Sequence, residues 1–349
     1  MNPWGSETAA RVADGRGRCD RWPVRQHPSA LRAAVGAVLA AAAIIAAGCG
    51  GGSSGPALDP PVHGATQAEL QKLEGIERLP GATFRFAVTG DQHLGYSYFG
   101  RCIVPLANRA GADFLMLIGD MTNTGLQEEY HALFGALTPV QIPVLTIPGN
   151  HEYKTAGGQV YQDIFKSSDY YFDHGGWRFV CLNNAQGALA ANQLAWLSDT
   201  LKAGPGRAIV FVHVPPAGVD PNWAEARYYD GHYWRTVFDE GATEFRDICA
   251  ANHVAAVYAG HIHAFDAAQD RGTLYILTGG GGGFTSQFAA EAPGNFCHIT
   301  VVEVDEEGIR SQTVHVPGFQ YSSSGAIVRK GAERSFVVDV ATWETNVGQ

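Results

Sequence analysis

Short apolar runs alternate with amphipathic segments from Phe84 to Gly260. Five of these runs have the length and continuous hydrophobic character of strands buried on both faces. They read FRFAVTGD, DFLMLIGD, VLTIPGNH, RAIVFVHV and VAAVYAGHIH. The segments between them predict helices at 126–137, 158–166, 192–203 and 243–252. The alternation predicts an α/β architecture with a largely parallel sheet.

Two further patterns predict β-structure. The segment YYFDHGGWRFVCLNN has His-Gly-Gly between aromatic and β-branched residues, which favours a hairpin. After Gly260 the pattern becomes strand-like, in TLYILTG, CHITVVEV and GIRSQTVHV. The glycine run TGGGGGF lacks the Lys-Ser/Thr of a phosphate-binding P-loop, so we expect a tight loop near the site described below.

The N-terminus predicts an export signal. Arginines precede the apolar run Ala33–Ala47, which is shorter than the roughly 20 residues that span a bilayer. The following AAGC and Gly/Ser-rich stretch resemble a bacterial lipoprotein lipobox, in which Cys49 is lipidated; an ordinary secretory signal and an uncleaved anchor are the alternatives. We therefore expect an exported protein, anchored to the membrane through Cys49, in the periplasm or at the cell surface.

The chain divides into four predicted parts. Residues 1–48 are the lipoprotein-type signal peptide and residues 49–80 a linker and lead-in segment. Residues 81–318 form the main predicted domain, and residues 319–349 form a C-terminal extension of unknown role.

The chain is acidic, with a formal net charge of −10. Removal of the leader makes it more acidic, because residues 1–48 contain six arginines and only three acids. Such a surface repels nucleic acid, so nucleic acid is not an expected partner. An anionic substrate must then be attracted by something other than surface charge, and bound metal could do that. The disulfide state of Cys102, Cys181, Cys249 and Cys297 stays open, since strand-like runs also favour buried thiols.

Polar side chains follow each of the five predicted strands. They are Asp91 and His93, Asp120, Asn150 and His151, His213, and His261 and His263. Because the carboxyl ends of strands converge on the ligand crevice in open α/β sheets, we expect these groups to meet. Imidazoles and carboxylates suit Zn, Fe or Mn. The set is too large for one four-coordinate ion and has the right size for two.

The blocks GDQH, GD, GNHE, the histidine of HVPP, and GHIH, in this order, resemble the signature blocks of the calcineurin-like metallophosphoesterases over residues 82–316. The resemblance implies a four-layer αββα sandwich of two mixed β-sheets flanked by helices. It also implies two divalent or trivalent ions, of Fe, Mn or Zn. Asp91, His93 and His263 would hold one ion, Asn150, His213 and His261 the other, and Asp120 would bridge them. His151 would face the phosphate and assist the leaving group.

The expected function is hydrolysis of a small phosphate ester, either a monoester or a diester, by this binuclear centre at the cell envelope. A nuclease is an alternative, disfavoured by the acidic chain and the export signal. A surface binding protein that keeps the fold without the activity is another, and the intact ligand set argues against it. The sequence does not determine the substrate, the metal or the oligomeric state. The aromatic segment Pro221–Arg235 either packs or contacts substrate.

Overall fold

The computed structural model of the chain describes residues 63–155, 157–224, 227–229, 232–283, 297–315, 318–321, 327–330 and 335–339. The predicted signal peptide, Cys49 and residues 50–62 of the predicted linker and lead-in segment lie outside these residues. Within them, none of the helices is both long and apolar enough to cross a bilayer.

Within the described residues, helices and strands alternate as far as β4 (Tyr170–His174), and only strands follow α7 (Ala242–Ala251). The helices are α1 (Thr66–Glu74), α2 (Tyr96–Tyr98), α3 (Val104–Arg109), α4 (Gln127–Leu137), α5 (Gln159–Phe165), α6 (Ala191–Lys202) and α7 (Ala242–Ala251), with a π-helical turn at Phe99–Ile103 and 3₁₀ turns at Asn150–Tyr153 and Pro221–Ala224. The strands are β1 (Phe84–Thr89), β2 (Leu115–Ile118), β3 (Val144–Ile147), β4 (Tyr170–His174), β5 (Trp177–Cys181), β6 (Ala208–Phe211), β7 (Arg227–Tyr229), β8 (His232–Trp234), β9 (Val254–Ala259), β10 (Phe265–Asp270), β11 (Thr273–Thr278), β12 (His298–Val304), β13 (Ile309–His315), β14 (Gly318–Tyr321), β15 (Ile327–Lys330) and β16 (Ser335–Asp339).

Two six-stranded mixed sheets organise these elements. The first has the order β16-β13-β12-β1-β2-β3, in which β1, β2 and β3 are parallel and the other neighbours are antiparallel. The second has the order β10-β11-β9-β6-β5-β4, in which β11, β9, β6 and β5 are parallel and the two edge strands are antiparallel. Two small hairpins, β7–β8 and β14–β15, complete the described strands.

Three buried apolar clusters fill the spaces between the layers. The central cluster joins the two sheets through aromatic rings, and Phe179 in β5 lies within 6.3 Å of the rings of Phe84, Phe86, Phe114 and Phe211. The other clusters pack α6 and α7 on the second sheet, and the helices between β1 and β5 on the first. Each sheet is thus covered on both faces, and the predicted four-layer αββα sandwich of two mixed sheets is confirmed.

The predicted elements agree with the observed ones to within one residue at the four helices between Leu126 and Asn252. The predicted hairpin is β4–β5, and its turn is formed by Gly175 and Gly176, whose φ values of 59° and 84° suit glycine. The sequence analysis missed the helical segment from α2 to α3. The π turn and Pro105 interrupt it, so its apolar positions do not keep a single 3.6-residue period.

Both predicted flanking regions contribute contacts to the sandwich. In the lead-in segment, the buried carboxylate of Glu69 accepts hydrogen bonds from the backbone N–H of Val144 (2.8 Å) and from Lys72 (2.6 Å). In the C-terminal extension, β16 pairs antiparallel with β13. The bounds of the main domain, residues 81–318, stay a prediction.

Candidate metal centre

The strands that precede the predicted site residues end at one edge of the sandwich. β1, β2 and β3 belong to the first sheet, whereas β6 and β9 belong to the second. Hydrogen bonds join the loops that follow: the N–H of Asp91 donates to the carbonyl of Gly119, and that of Gly260 to the carbonyl of His213 (both 2.9 Å). The loops meet there because both sheets present the carboxyl ends of parallel strands at this edge.

The first ligand group consists of Asp91, His93, Asp120 and His263, whose ligand atoms lie within 4.8 Å of one another. Nε2 of His93 is 3.0 Å from Nε2 of His263 and 3.6 Å from Oδ2 of Asp120. Oδ1 of Asp91 is 3.3 Å from Nε2 of His263. These four donors surround a common point.

The second ligand group consists of Asp120, His213 and His261, and Asn150 joins it. Nε2 of His213 is 3.3 Å from Oδ1 of Asp120 and 3.1 Å from Oδ1 of Asn150. Nδ1 of His261 is 2.8 Å from the same amide oxygen. The two oxygens of Asp120 thus face different ligand groups.

The spacing of these donors fits metal ions. Ligands at about 2.1 Å from one ion, in tetrahedral or octahedral geometry, stand about 3.0–3.4 Å apart. Two pairs of ligand atoms in each group have this separation, and the His261–Asn150 pair is slightly closer, at 2.8 Å. The mixture of imidazole and carboxylate matches first-row transition metals rather than Mg²⁺ or Ca²⁺. The residues present therefore fit the metal that the sequence predicts.

Backbone carbonyls orient three of the imidazoles. Nδ1 of His213 donates to the carbonyl of Ile118 (2.8 Å), and Nε2 of His261 donates to the carbonyl of Arg235 (2.8 Å). Each hydrogen bond leaves the opposite ring nitrogen as the acceptor that faces the ligand group, which is how metal-binding histidines are usually held. Nδ1 of His151 contacts the carbonyl of Asn123 in the same way (2.7 Å).

Four of the predicted ligands have a left-handed backbone. The φ values are 63° for Asp91, 45° for His93, 50° for Asp120 and 66° for His261. Non-glycine residues rarely adopt this conformation, and such strain concentrates at functional sites. Gly119, before Asp120, has a φ of 90°, and a Cβ on it would approach Nδ1 of His213 to 2.5 Å. The sharp turn after each strand therefore directs the side chain into the centre.

Glu152 supports the Asp120 loop. Its carboxylate is fully buried, and Oε2 accepts the N–H groups of Asp120 (2.8 Å) and Gly149 (2.7 Å). Oε1 accepts the N–H and the hydroxyl of Thr122, both at 2.8 Å. Burial and the nearby Asp120 raise the pKa of Glu152 to about 7, whereas the four donors favour the ionised form. The sequence analysis assigns no role to Glu152, because no local pattern shows that its side chain turns towards another loop.

Asn184 is a second residue that the sequence analysis missed. Its side-chain oxygen accepts the N–H groups of His213 (2.9 Å) and Val214 (3.1 Å), and its amide donates to the carbonyl of Val214 (2.7 Å). The signal that could have identified it is the polar pair Asn183-Asn184, which follows β5 just as the predicted ligands follow their strands.

The glycine run lies against the first ligand group, as the sequence analysis predicts. The N–H of Gly281 donates to the carbonyl of Gly90 (2.7 Å), and that of Gly283 to the carbonyl of Asp91 (2.8 Å). A Cβ on Gly279 would stand 2.7 Å from Oδ2 of Asp91, and a Cβ on Gly283 would stand 2.7 Å from the ring of His93. Two backbones approach closely here, and a larger residue would displace the ligands.

The electrostatics of the metal-free protein favour neutral imidazoles at two of these positions. Burial lowers the pKa of His93 to about 3, and burial together with a neighbouring imidazole lowers that of His261 to about 4. Burial also opposes charge on His213, but the carboxylate of Asp120 outweighs it and raises the pKa to about 9. The imidazoles, His213 first among them, keep the pKa of Asp120 low despite its burial. His213 and Asp120 therefore stabilise each other's charged forms across the centre of the site.

Other residues that the sequence analysis discussed lie outside the two ligand groups. Within the aromatic segment, the indole N–H of Trp223 donates to Asp266 (2.8 Å), and the Arg235 carbonyl reaches His261. The four cysteines in the described part of the chain are free of disulfide bonds, and Cys181, Cys249 and Cys297 are buried.

Comparison with known proteins agrees with this arrangement. A sequence model of calcineurin-like phosphoesterases matches residues 84–265. The chain is similar to a 3',5'-cyclic-nucleotide phosphodiesterase of Nostoc sp., with 29% identity over 174 residues, which cover 48% of this chain and 62% of the relative. It is also similar to the glycerophosphodiester phosphodiesterase GpdQ of Enterobacter lignolyticus, with 28% identity over 163 residues, which cover 42% of this chain and 57% of the relative.

Among solved structures, the chain resembles a purple acid phosphatase of yellow lupin (Lupinus luteus). The TM-score is 0.53 at 15% identity, and the match covers 74% of this chain and 54% of the lupin chain. This likeness concerns the fold alone. The match to each of these three proteins spans less than two thirds of that protein's length.

We expect Glu152→Gln to weaken metal binding. Each carboxylate oxygen of Glu152 accepts two hydrogen bonds. A glutamine would place its NH₂ group, which donates and does not accept, against one of these two pairs of donors. The Asp120 loop would lose part of its support, and losses of about 10- to 100-fold in metal affinity are typical for such outer partners. The metal content after dialysis against a competing chelator, measured by mass spectrometry, tests this. Glu128→Gln on the exposed side of α4 is the control, and equal metal retention in the two variants would contradict the role of Glu152.

Proposed function

Because this chain belongs to the calcineurin-like phosphoesterase family, we propose that it hydrolyses small phosphate esters with a binuclear metal centre at the cell envelope. The observation that supports two ions most directly is the geometry of Asp120. One of its carboxylate oxygens faces His93 and the other faces His213. A carboxylate between two sets of ligands is suited to bridge two ions.

Under this proposal each ion has its own ligands. Asp91, His93 and His263 hold one, and Asn150, His213 and His261 hold the other. Bound ions of this kind polarise phosphoryl oxygens and lower the pKa of a coordinated water. The protein keeps these ligands in position through the carbonyl hydrogen bonds to the imidazoles and the Glu152 contacts.

His151 is the proposed partner of the leaving group. Its Nε2 lies 3.8 Å from Oδ2 of Asp120, and its ring meets that of His93 edge-on at 4.2 Å between centroids. With Nδ1 held by the carbonyl of Asn123, Nε2 is the atom that faces the centre. Burial lowers the pKa of His151 in the free protein, and an anionic ester beside Nε2 would favour its protonated form. His151 can then donate a proton to the departing oxygen.

The class of phosphate ester is less closely defined than the metal ligands. The two named sequence relatives are phosphodiesterases, which supports activity on diesters. The nuclease alternative has less support, because an acidic chain attracts nucleic acid poorly. A silent binding protein would retain ester affinity and metal without turnover.

We also propose that the protein is exported and anchored through lipidated Cys49. The support for this location is the N-terminal sequence alone, with its arginines, its short apolar run and its AAGC motif.

Removal of metal should abolish activity. Purified protein treated with a strong chelator is expected to lose hydrolysis of para-nitrophenyl phosphate and its bis-ester and to regain it with Mn, Fe or Zn, since unassisted water is a poor nucleophile near pH 7. Metal analysis of the active protein should give two ions per chain. Full activity in protein shown to be metal-free would refute the mechanism, and bound metal without turnover of any ester would favour the binding-protein alternative.

His151→Ala and Asp120→Ala should have different effects. Asp120→Ala removes the proposed bridge, so we expect both metal content and rate to fall. His151→Ala removes no proposed ligand, so metal content should stay near that of the wild type while kcat falls by about 10²–10⁴. The loss should be largest for alkyl phosphates and smaller for para-nitrophenyl esters, whose leaving group needs little protonation. A defect of the same size for both leaving groups would contradict the role of His151.

Cys49→Ser should change partitioning. Expressed in a bacterium with lipoprotein processing, the wild type is expected in the detergent phase, while the variant should stay unlipidated and leave that phase. Identical partitioning of the two forms would remove the lipid anchor from the proposal.

A further inference from the structure

Lys154 brings a positive charge to the leaving-group side of the proposed site. Its Nζ lies 2.8 Å from Nε2 and 2.9 Å from Nδ1 of His151. The ammonium therefore lies against the imidazole beside both of its nitrogens. Of these, Nδ1 faces the carbonyl of Asn123, and Nε2 is directed at Oδ2 of Asp120, 3.8 Å away.

An ammonium at this position is significant because the rest of the chain is acidic. Several of the described arginines are engaged by carboxylates away from the centre: Arg78 by Asp113, Arg85 by Glu303, Arg178 by Asp173, and Arg246 by Asp270. Lys154 lies against His151, a residue of the proposed site, and it is exposed. It can therefore reach an ester that enters from solvent.

The charge of the substrate decides what such an ammonium would favour. A phosphomonoester carries up to about two negative charges at neutral pH, spread over three non-bridging oxygens. A diester has one negative charge, because an uncharged ester oxygen replaces one of the three. The third non-bridging oxygen is therefore where the two classes of substrate differ. Lysine binds such an oxygen as a compact point charge.

On the basis of the proposed function, we propose that Lys154 is a specificity-determining residue that binds the third charged oxygen of a phosphomonoester. The ammonium leaves the imidazole of His151 for this oxygen when the ester binds. Nε2 then faces the leaving oxygen. Lys154 thus raises activity on monoesters relative to diesters, and it does so by binding charge.

The test compares two esters that share one leaving group, para-nitrophenyl phosphate and bis-para-nitrophenyl phosphate. Lys154→Met should lower kcat/KM for the monoester by about 10- to 100-fold, the usual effect of losing one charged hydrogen bond, and should lower that for the diester clearly less. Lys154→Arg, which keeps the charge, should retain the preference of the wild type to within a few-fold. Lys202→Met, at the end of α6, is the matched control and should change neither value.

Binding provides a readout that does not depend on turnover. Calorimetric titration of inorganic phosphate into metal-loaded protein should show a Kd raised by about 10- to 100-fold in Lys154→Met, with the metal content unchanged. Equal losses on both esters, or an unchanged phosphate affinity, would overturn the assignment of Lys154. If the wild type hydrolyses neither ester, the proposed function fails instead, and the phosphate titration still decides the role of Lys154.

Discussion

The buried carboxylate of Asp120 is the group on which the arrangement of the site depends. It lies between the imidazoles of the two ligand groups, and its residue has a left-handed backbone that most residues avoid. Burial of a carboxylate is costly unless positive or hydrogen-bonding partners surround it. Asp120 obtains these partners from both sheets, with His93 following a strand of the first and His213 a strand of the second. The two halves of the sandwich are thus held together by charge at this edge, and by aromatic packing between the sheets.

The support for Asp120 explains why several residues without a predicted role are buried near it. Glu152 orders the backbone of the Asp120 loop, and Asn184 orders that of His213. Both act on N–H groups that have no strand partner, so both satisfy the requirement that buried donors be paired. The glycine run has a different effect, since its lack of side chains lets it pack directly on the Asp91 loop. The ligands are therefore positioned largely by backbone contacts, which the identities of the ligands alone do not specify.

The leaving-group side of the site includes an exposed cation. The carbonyl of Asn123 holds the buried ring of His151, and Lys154 contacts that ring from an exposed position. This contrast matches the chemistry proposed for the site: ligands must not move, whereas a cation that recognises the ester must change partners during binding. The preference between monoesters and diesters would then depend on the charge of Lys154, which changes partners beside ligands that stay in place.

Much of the fold could be predicted from the sequence, because buried parallel strands and amphipathic helices leave periodic patterns. The sequence predicts the seven ligands and His151 for a related reason, since each follows an apolar run where a solvated or ligating group is required. The helical segment from α2 to α3 was not, because the π turn and Pro105 disrupt its period. Glu152 and Asn184 were not assigned, because the backbone groups that they bind lie in loops about 30 residues away. The sequence by itself therefore determined which groups reach the edge of each sheet. Only the tertiary structure decided which of them share Asp120 and which nitrogen of each imidazole faces the centre, because those contacts cross between two sheets that no local pattern relates.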